Sequence, residues 1–150
     1  MKKIFFILTC IALTFYSCNN DDDIIDCFTP PTSFTFELVD KTTGENLFTN
    51  GTYNANDISL TNTLDKNSNA EFTFIDEDNY NIIEINSIGW KTEIVNFELK
   101  IEDEIIFNLY VDAERKSENH CSFTTYNEIE IQDTEYTLDN KFDFYTILIP

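Results

Sequence analysis

The stretch Val95-Asn96-Phe97-Glu98-Leu99-Lys100-Ile101, then Glu102-Asp103, then a run carrying Ile105, Phe107, Leu109 and Val111, decides how this chain folds. Side chains along a strand alternate between faces, so Val95, Phe97, Leu99 and Ile101 share one face and Asn96, Glu98 and Lys100 the other. The second run repeats the alternation, and the short turn around Glu102-Asp103 makes the two runs hairpin partners. Phe34, Phe36 and Leu38 alternate in the same way with Thr35 and Glu37. Further strands are expected over residues 58–62, 71–75, 80–85, 128–131 and 142–149. Asn50-Gly51 and Asp76-Glu77-Asp78-Asn79 carry turn chemistry, because Asn, Asp and Gly tolerate positive φ. No stretch keeps apolar residues at helical spacing over three turns. Seven to nine short strands point to an all-β chain folded as one antiparallel β-sandwich over residues 33–150.

Composition agrees and excludes some partners. The 150 residues are 42% hydrophobic and 15% aromatic, enough apolar material for a core. Against 28 Asp and Glu stand 9 Lys and Arg, a formal charge of −19. Nucleic-acid affinity rests on cations neutralising phosphates, so a nucleic-acid partner is not expected. Two strands, around Ile82-Ile83 and Ile147-Leu148-Ile149, are apolar on both faces. Either they are covered on both sides or one of them docks on a partner.

The N-terminus reads as an address. Lys2-Lys3 followed by an apolar run from Ile4 to Phe15 has the layout of a secretory signal, too short to span a ~30 Å hydrocarbon core. Phe15-Tyr16-Ser17-Cys18 resembles a bacterial lipobox. The resemblance implies cleavage after residue 17 and a diacylglycerol on Cys18. The following Asn19-Asn20-Asp21-Asp22-Asp23 is similar to the acidic export tag of surface lipoproteins of the Bacteroidota type. Residues 1–17 are then the signal peptide and 18–32 an acidic tether ending in Pro30-Pro31. The expected location is the outer membrane, lipid-anchored and surface-exposed. Removing Cys10 and acylating Cys18 leaves Cys27 and Cys121. Two remaining cysteines in an oxidising compartment make one disulfide, the alternative being a pair of free thiols.

Three further segments carry a family resemblance. Leu38-Val39-Asp40-Lys41-Thr42-Thr43-Gly44-Glu45-Asn46-Leu47 resembles the D-x-x-T-G-E turn that opens carboxypeptidase-regulatory-like domains. Ser87-Ile88-Gly89-Trp90-Lys91-Thr92 is similar to their I-G-[YW]-x-T corner. Asp65-Lys66-Asn67-Ser68-Asn69-Ala70-Glu71-Phe72 is similar to their D-x-x-G-x-F turn but lacks its glycine. The likeness covers about residues 33–112 and implies a transthyretin-like, immunoglobulin-like sandwich used as a structural or binding module. It brings no catalytic residue. Residues 121–150 lie beyond it and are expected to add two strands tied back through Cys121.

Candidate chemistry is sparse. His120 is the single histidine, so any histidine-dependent triad must run through it. It sits in the polar segment from Glu114 to His120, which reads as a surface loop. The acids are too many for any one pair to signal hydrolysis, and no catalytic residue and no resident cofactor are expected. Calcium is the one metal whose oxygen ligands are at hand, at Asp76, Asp78 and Asn79 in a hairpin tip. Trp90, the sole tryptophan, is either a stacking platform for a sugar ring or a cap on the core. The expected role is a structural or protein-binding module of the cell envelope, not an enzyme, with the membrane as one partner through the anchor. A glycan-binding accessory of nutrient uptake is the first alternative and a small hydrolase the second.

Overall fold

The computed structural model describes residues 27–77, 80–139 and 144–150. The expected lipidation residue Cys18 and the calcium candidates Asp78 and Asn79 lie outside the described residues. Eleven strands are found among the described residues, β1 Cys27–Phe28, β2 Phe34–Asp40, β3 Ile58–Asn62, β4 Ser68–Asn69, β5 Thr73–Ile75, β6 Ile82–Ile85, β7 Glu93–Ile101, β8 Glu104–Glu118, β9 Cys121–Gln132, β10 Glu135–Asp139 and β11 Phe144–Ile149. They form two sheets, ordered β1-β9-β8-β7-β3-β4 and β10-β11-β2-β6-β5. The chain is an all-β sandwich.

Both sheets are mixed rather than purely antiparallel as expected. β1 runs parallel to β9, and β11 runs parallel to β2. A parallel neighbour needs a long crossover, and here the partners come from opposite ends of the chain. Local alternation contains no trace of such a pairing. The strand number also exceeds the expected seven to nine. The excess is two two-residue strands, β1 and β4, shorter than any alternation can reveal, and β10, all of whose residues are exposed.

The core is the alternation made physical. Val95, Phe97, Leu99 and Ile101 of β7 are buried together with Phe107, Leu109 and Val111 of β8. Phe34, Phe36, Leu38, Ile83, Ile85, Tyr145 and Ile147 face them from the other sheet. Phe36 joins the layers, its ring 4.7 Å from Phe107 and 5.3 Å from Tyr145 between centroids. Burying a side chain of this size is worth about 1.5–3 kcal/mol.

One register detail departs from simple alternation. Phe107 pairs with Leu99 but Ile105 with Lys100, so Ile106 is an extra residue in β8. This β-bulge turns Ile105 out to 48% exposure and Ile106 in to 4%, reversing the expected places of these neighbours. The segment Glu114 to His120, expected as a surface loop, is also corrected. Strand β8 continues through Glu118 and reverses at Asn119-His120, whose φ values of 50° and 65° make a tight hairpin with β9. A hairpin arm reaching past the sandwich has no core side to keep apolar, so its composition imitates a loop.

The turns keep much of their expected form. The Asp40 carboxylate accepts backbone N–H bonds from Thr42 at 2.8 Å and Thr43 at 2.7 Å, and Gly44 takes φ of 74° behind them. These bonds, Thr43's first, hold the Asp40 carboxyl below the usual carboxylate range. In the glycine-less turn, Lys66 and Asn67 adopt positive φ themselves. The Asn50-Gly51 turn forms, but it closes a compact loop on Asn46 rather than joining two strands.

Candidate functional site

Three segments converge on the first half of β9. The first is the chain's entry, expected to be tether through residue 32. From Cys27 it is part of the sheet, because Cys27 donates its N–H to the His120 carbonyl and Thr29 to the Ser122 carbonyl. The Cys27–Cys121 disulfide, with Cα atoms 4.4 Å apart, locks the same pair that opens the parallel register. Thr32 follows, its N–H bonded to the Tyr126 hydroxyl at 3.1 Å. Residues 27–32 therefore strap the sheet edge, and Pro30 and Pro31 suit an edge path because they ask for no ladder bond.

The second segment is the corner after β6. Gly89 holds φ of 91°, and a Cβ there would lie 2.8 Å from Thr124 Cγ2 and 3.1 Å from the Tyr126 hydroxyl. Only glycine lets the corner approach β9 this closely. Its carbonyl accepts from Thr124 Oγ1 at 2.6 Å and its N–H donates to Glu93 Oε1 at 2.9 Å. The third segment is the β8–β9 arm. Arg115 donates from Nη1 to the Thr29 carbonyl and to Thr124 Oγ1, both at 2.9 Å, and its guanidinium lies 4.8 Å from the Phe28 ring centroid.

The corner carries Trp90 out into solvent. Trp90 is 53% exposed, so it does not cap the core. It is fixed by an Nε1 bond to the Asn86 carbonyl at 2.8 Å and stacks on Phe28, centroids 6.0 Å apart and planes 23° from parallel. Phe28 is 60% exposed. A groove of about 540 Å³ runs beside them, bordered by Pro30, Pro31, Glu71, Asn86 and Ser87. The Ser87 hydroxyl is buried without a hydrogen-bond partner. An exposed aromatic face beside amide and carboxylate groups can stack a flat apolar ring face and hydrogen-bond its rim. Phe28 and the groove were not legible in the sequence, since a two-residue strand beside two prolines shows no period.

The remaining candidates are scattered. Asp76 is exposed beyond the end of β5, and its proposed companions lie outside the described residues. Among the described residues, no group of three or more His, Cys, Asp or Glu is placed to hold a metal ion. His120 occupies the turn of the arm. A depression of about 550 Å³ at another part of the surface is bordered by Tyr53, Asp57, Asp103 and Glu104. Burial first, and the Glu104 charge second, push the Tyr53 hydroxyl above its usual pKa. Burial likewise raises Tyr126, against the lowering effect of its Thr32 hydrogen bonds.

Compared with known proteins, the chain matches no family model, no curated protein and no solved structure. Fold and site together define a disulfide-strapped β-sandwich that carries an exposed Phe28–Trp90 stack beside the strap.

Proposed function

We propose that this chain is a lipid-anchored envelope lipoprotein whose sandwich serves as a surface-displayed structural or protein-binding module, not as an enzyme. The observation that carries the reading is the strap. A module displayed on an acyl anchor is loaded through its N-terminus, and here that load passes from Cys27 into Cys121 and the β1–β9 bonds. The Asp40 turn and the Gly89 corner support a transthyretin-like type for the sandwich. The cell address rests on the sequence from Lys2 to Asp23. Labelled palmitate is expected to enter the wild-type chain and not the Cys18→Ala variant, which should leave the membrane fraction; an unlabelled wild type would overturn the anchor.

A second reading is favoured by Trp90 and Phe28, whose exposed stack beside the groove suits a glycan in nutrient uptake. Titration with an oligosaccharide ligand is expected to quench and shift the single tryptophan's emission. A glycan array without signal would set this second reading aside.

A further inference from the structure

The second half of β9 differs from the first. The strap pairs only with Cys121 and Ser122, so no strand lies along the outer edge from Asn127 to Gln132 among the described residues. Ile129 pairs with Val111 and Ile131 with Leu109, which places both on the core-facing side of their sheet. Yet Ile129 is 40% exposed. In the other sheet, Tyr136 pairs with Ile147 and Leu138 with Tyr145, again core-facing positions, and they are 42% and 38% exposed. Among the described residues both sheets end here, β9 on one side and β10 on the other. A cavity of about 200 Å³ lies beside Ile129, lined by Thr32, Ser33, Phe34, Tyr126 and Tyr145.

The charges carried by β9 and β10 have one sign. From Ser117 to Asn140 the sequence contains no Lys or Arg. Glu128 and Glu130 stand on the outward face of β9, opposite Asp112 and Tyr110, while Glu135 on β10 is paired with Lys41 at 2.7 Å. A second copy added edge to edge would set Glu128 and Glu130 among their own kind, on a chain of charge −19. The edge itself accepts a strand, as β1 already demonstrates on its first two residues.

We infer that the open edge of β9 docks an extended cationic segment of another protein, one that alternates aliphatic residues with Lys or Arg. Added as a further strand, it would direct its aliphatic side chains into the seam between Ile129 and the Tyr136–Leu138 face. Its cations would lie beside Glu128 and Glu130. The backbone supplies the ladder bonds and the alternation supplies specificity. This names a partner chemistry for the protein-binding module proposed above and rests on that reading.

The test uses the full chain in nonionic detergent and three synthetic peptides of about ten residues, a length typical of a long strand. One alternates valine and lysine, one has the same composition in two blocks, and one alternates valine and glutamate. The alternating cationic peptide is expected to bind about tenfold or more tighter than the blocked one, with amide shifts confined to residues 127–138. The double variant Glu128→Lys/Glu130→Lys is expected to exchange the preference for the valine–glutamate peptide. Equal binding of the two cationic peptides would overturn the inference, as would shifts centred on Trp90, no binding, or self-association of the protein through the same residues. Palmitate labelling of Cys18 is untouched by any of these results, so failure of the anchor and failure of the docking edge are read separately.

Discussion

Among the described residues, strand β9 is covered along its first half and bare along its second. From Cys121 to Tyr126 it carries a disulfide, the β1 ladder, the Gly89 corner and the Arg115 bonds. From Asn127 to Gln132 it carries one neighbour among the described residues, β8, and leaves Ile129 40% exposed. The same strand is thus fixed at one end and exposes an edge at the other. Local stability should divide along it in the same way.

The largest effect should come from the strap. Cys27→Ser/Cys121→Ser opens a loop with a sequence separation of 94 residues. Chain-entropy arguments put the loss at about 4 kcal/mol, read as a lower urea midpoint. An unchanged midpoint would mean that the covered half owes nothing to its bridge. Next in size is Gly89→Ala, whose new Cβ would meet Thr124 Cγ2 at 2.8 Å in a left-handed backbone. A loss of about 2 kcal/mol is expected by thermal unfolding. Arg115→Ala removes two side-chain bonds and the contact with Phe28 and should lose about 1 kcal/mol, with faster hydrogen exchange at Thr29.

On the bare half the effect should be small. Ile129→Ser is expected to change stability by under about 1 kcal/mol, whereas Ile147→Ala, fully buried in the core, should lose about 2–5 kcal/mol. Comparable losses at the two sites would show that the seam is closed in solution. The Asp40 turn gives the smallest effect. Its carboxyl is held below the ordinary value of 3.8, so its contribution is present above that value and fades as pH falls through the lower folded pKa. Asp40→Ala should lower Tm slightly near neutral pH and flatten the decline of Tm at acid pH; a decline as steep as the wild type's would deny the carboxylate this role.

The sandwich was legible where one face is wet and the other dry. β3 was expected over the five residues it occupies, and the β7–β8 hairpin followed from alternation and the short Glu102-Asp103 turn. The two strands left ambiguous by their double apolar character lie inside their sheet, β11 between β10 and β2 and β6 between β2 and β5. What alternation missed is what it does not encode. A single inserted residue, Ile106, swaps faces without changing composition. Residues Glu114–Glu118 pair with β9 beyond the sandwich, where neither face needs to be apolar. β1 is held by a bond between residues far apart in sequence, and the parallel pairs join the two ends of the chain. The site was half legible. Trp90 and the cysteine pair were singled out, but Phe28, Arg115 and the bare edge of β9 exist only once the strap has been placed.

Protease treatment of intact cells, followed by immunoblotting of the membrane fraction, is the most direct test of a surface-displayed, anchored module. The expected result is loss of the protein from whole cells while periplasmic markers survive. Full protection in intact cells, with digestion only after the envelope is opened, would contradict surface display.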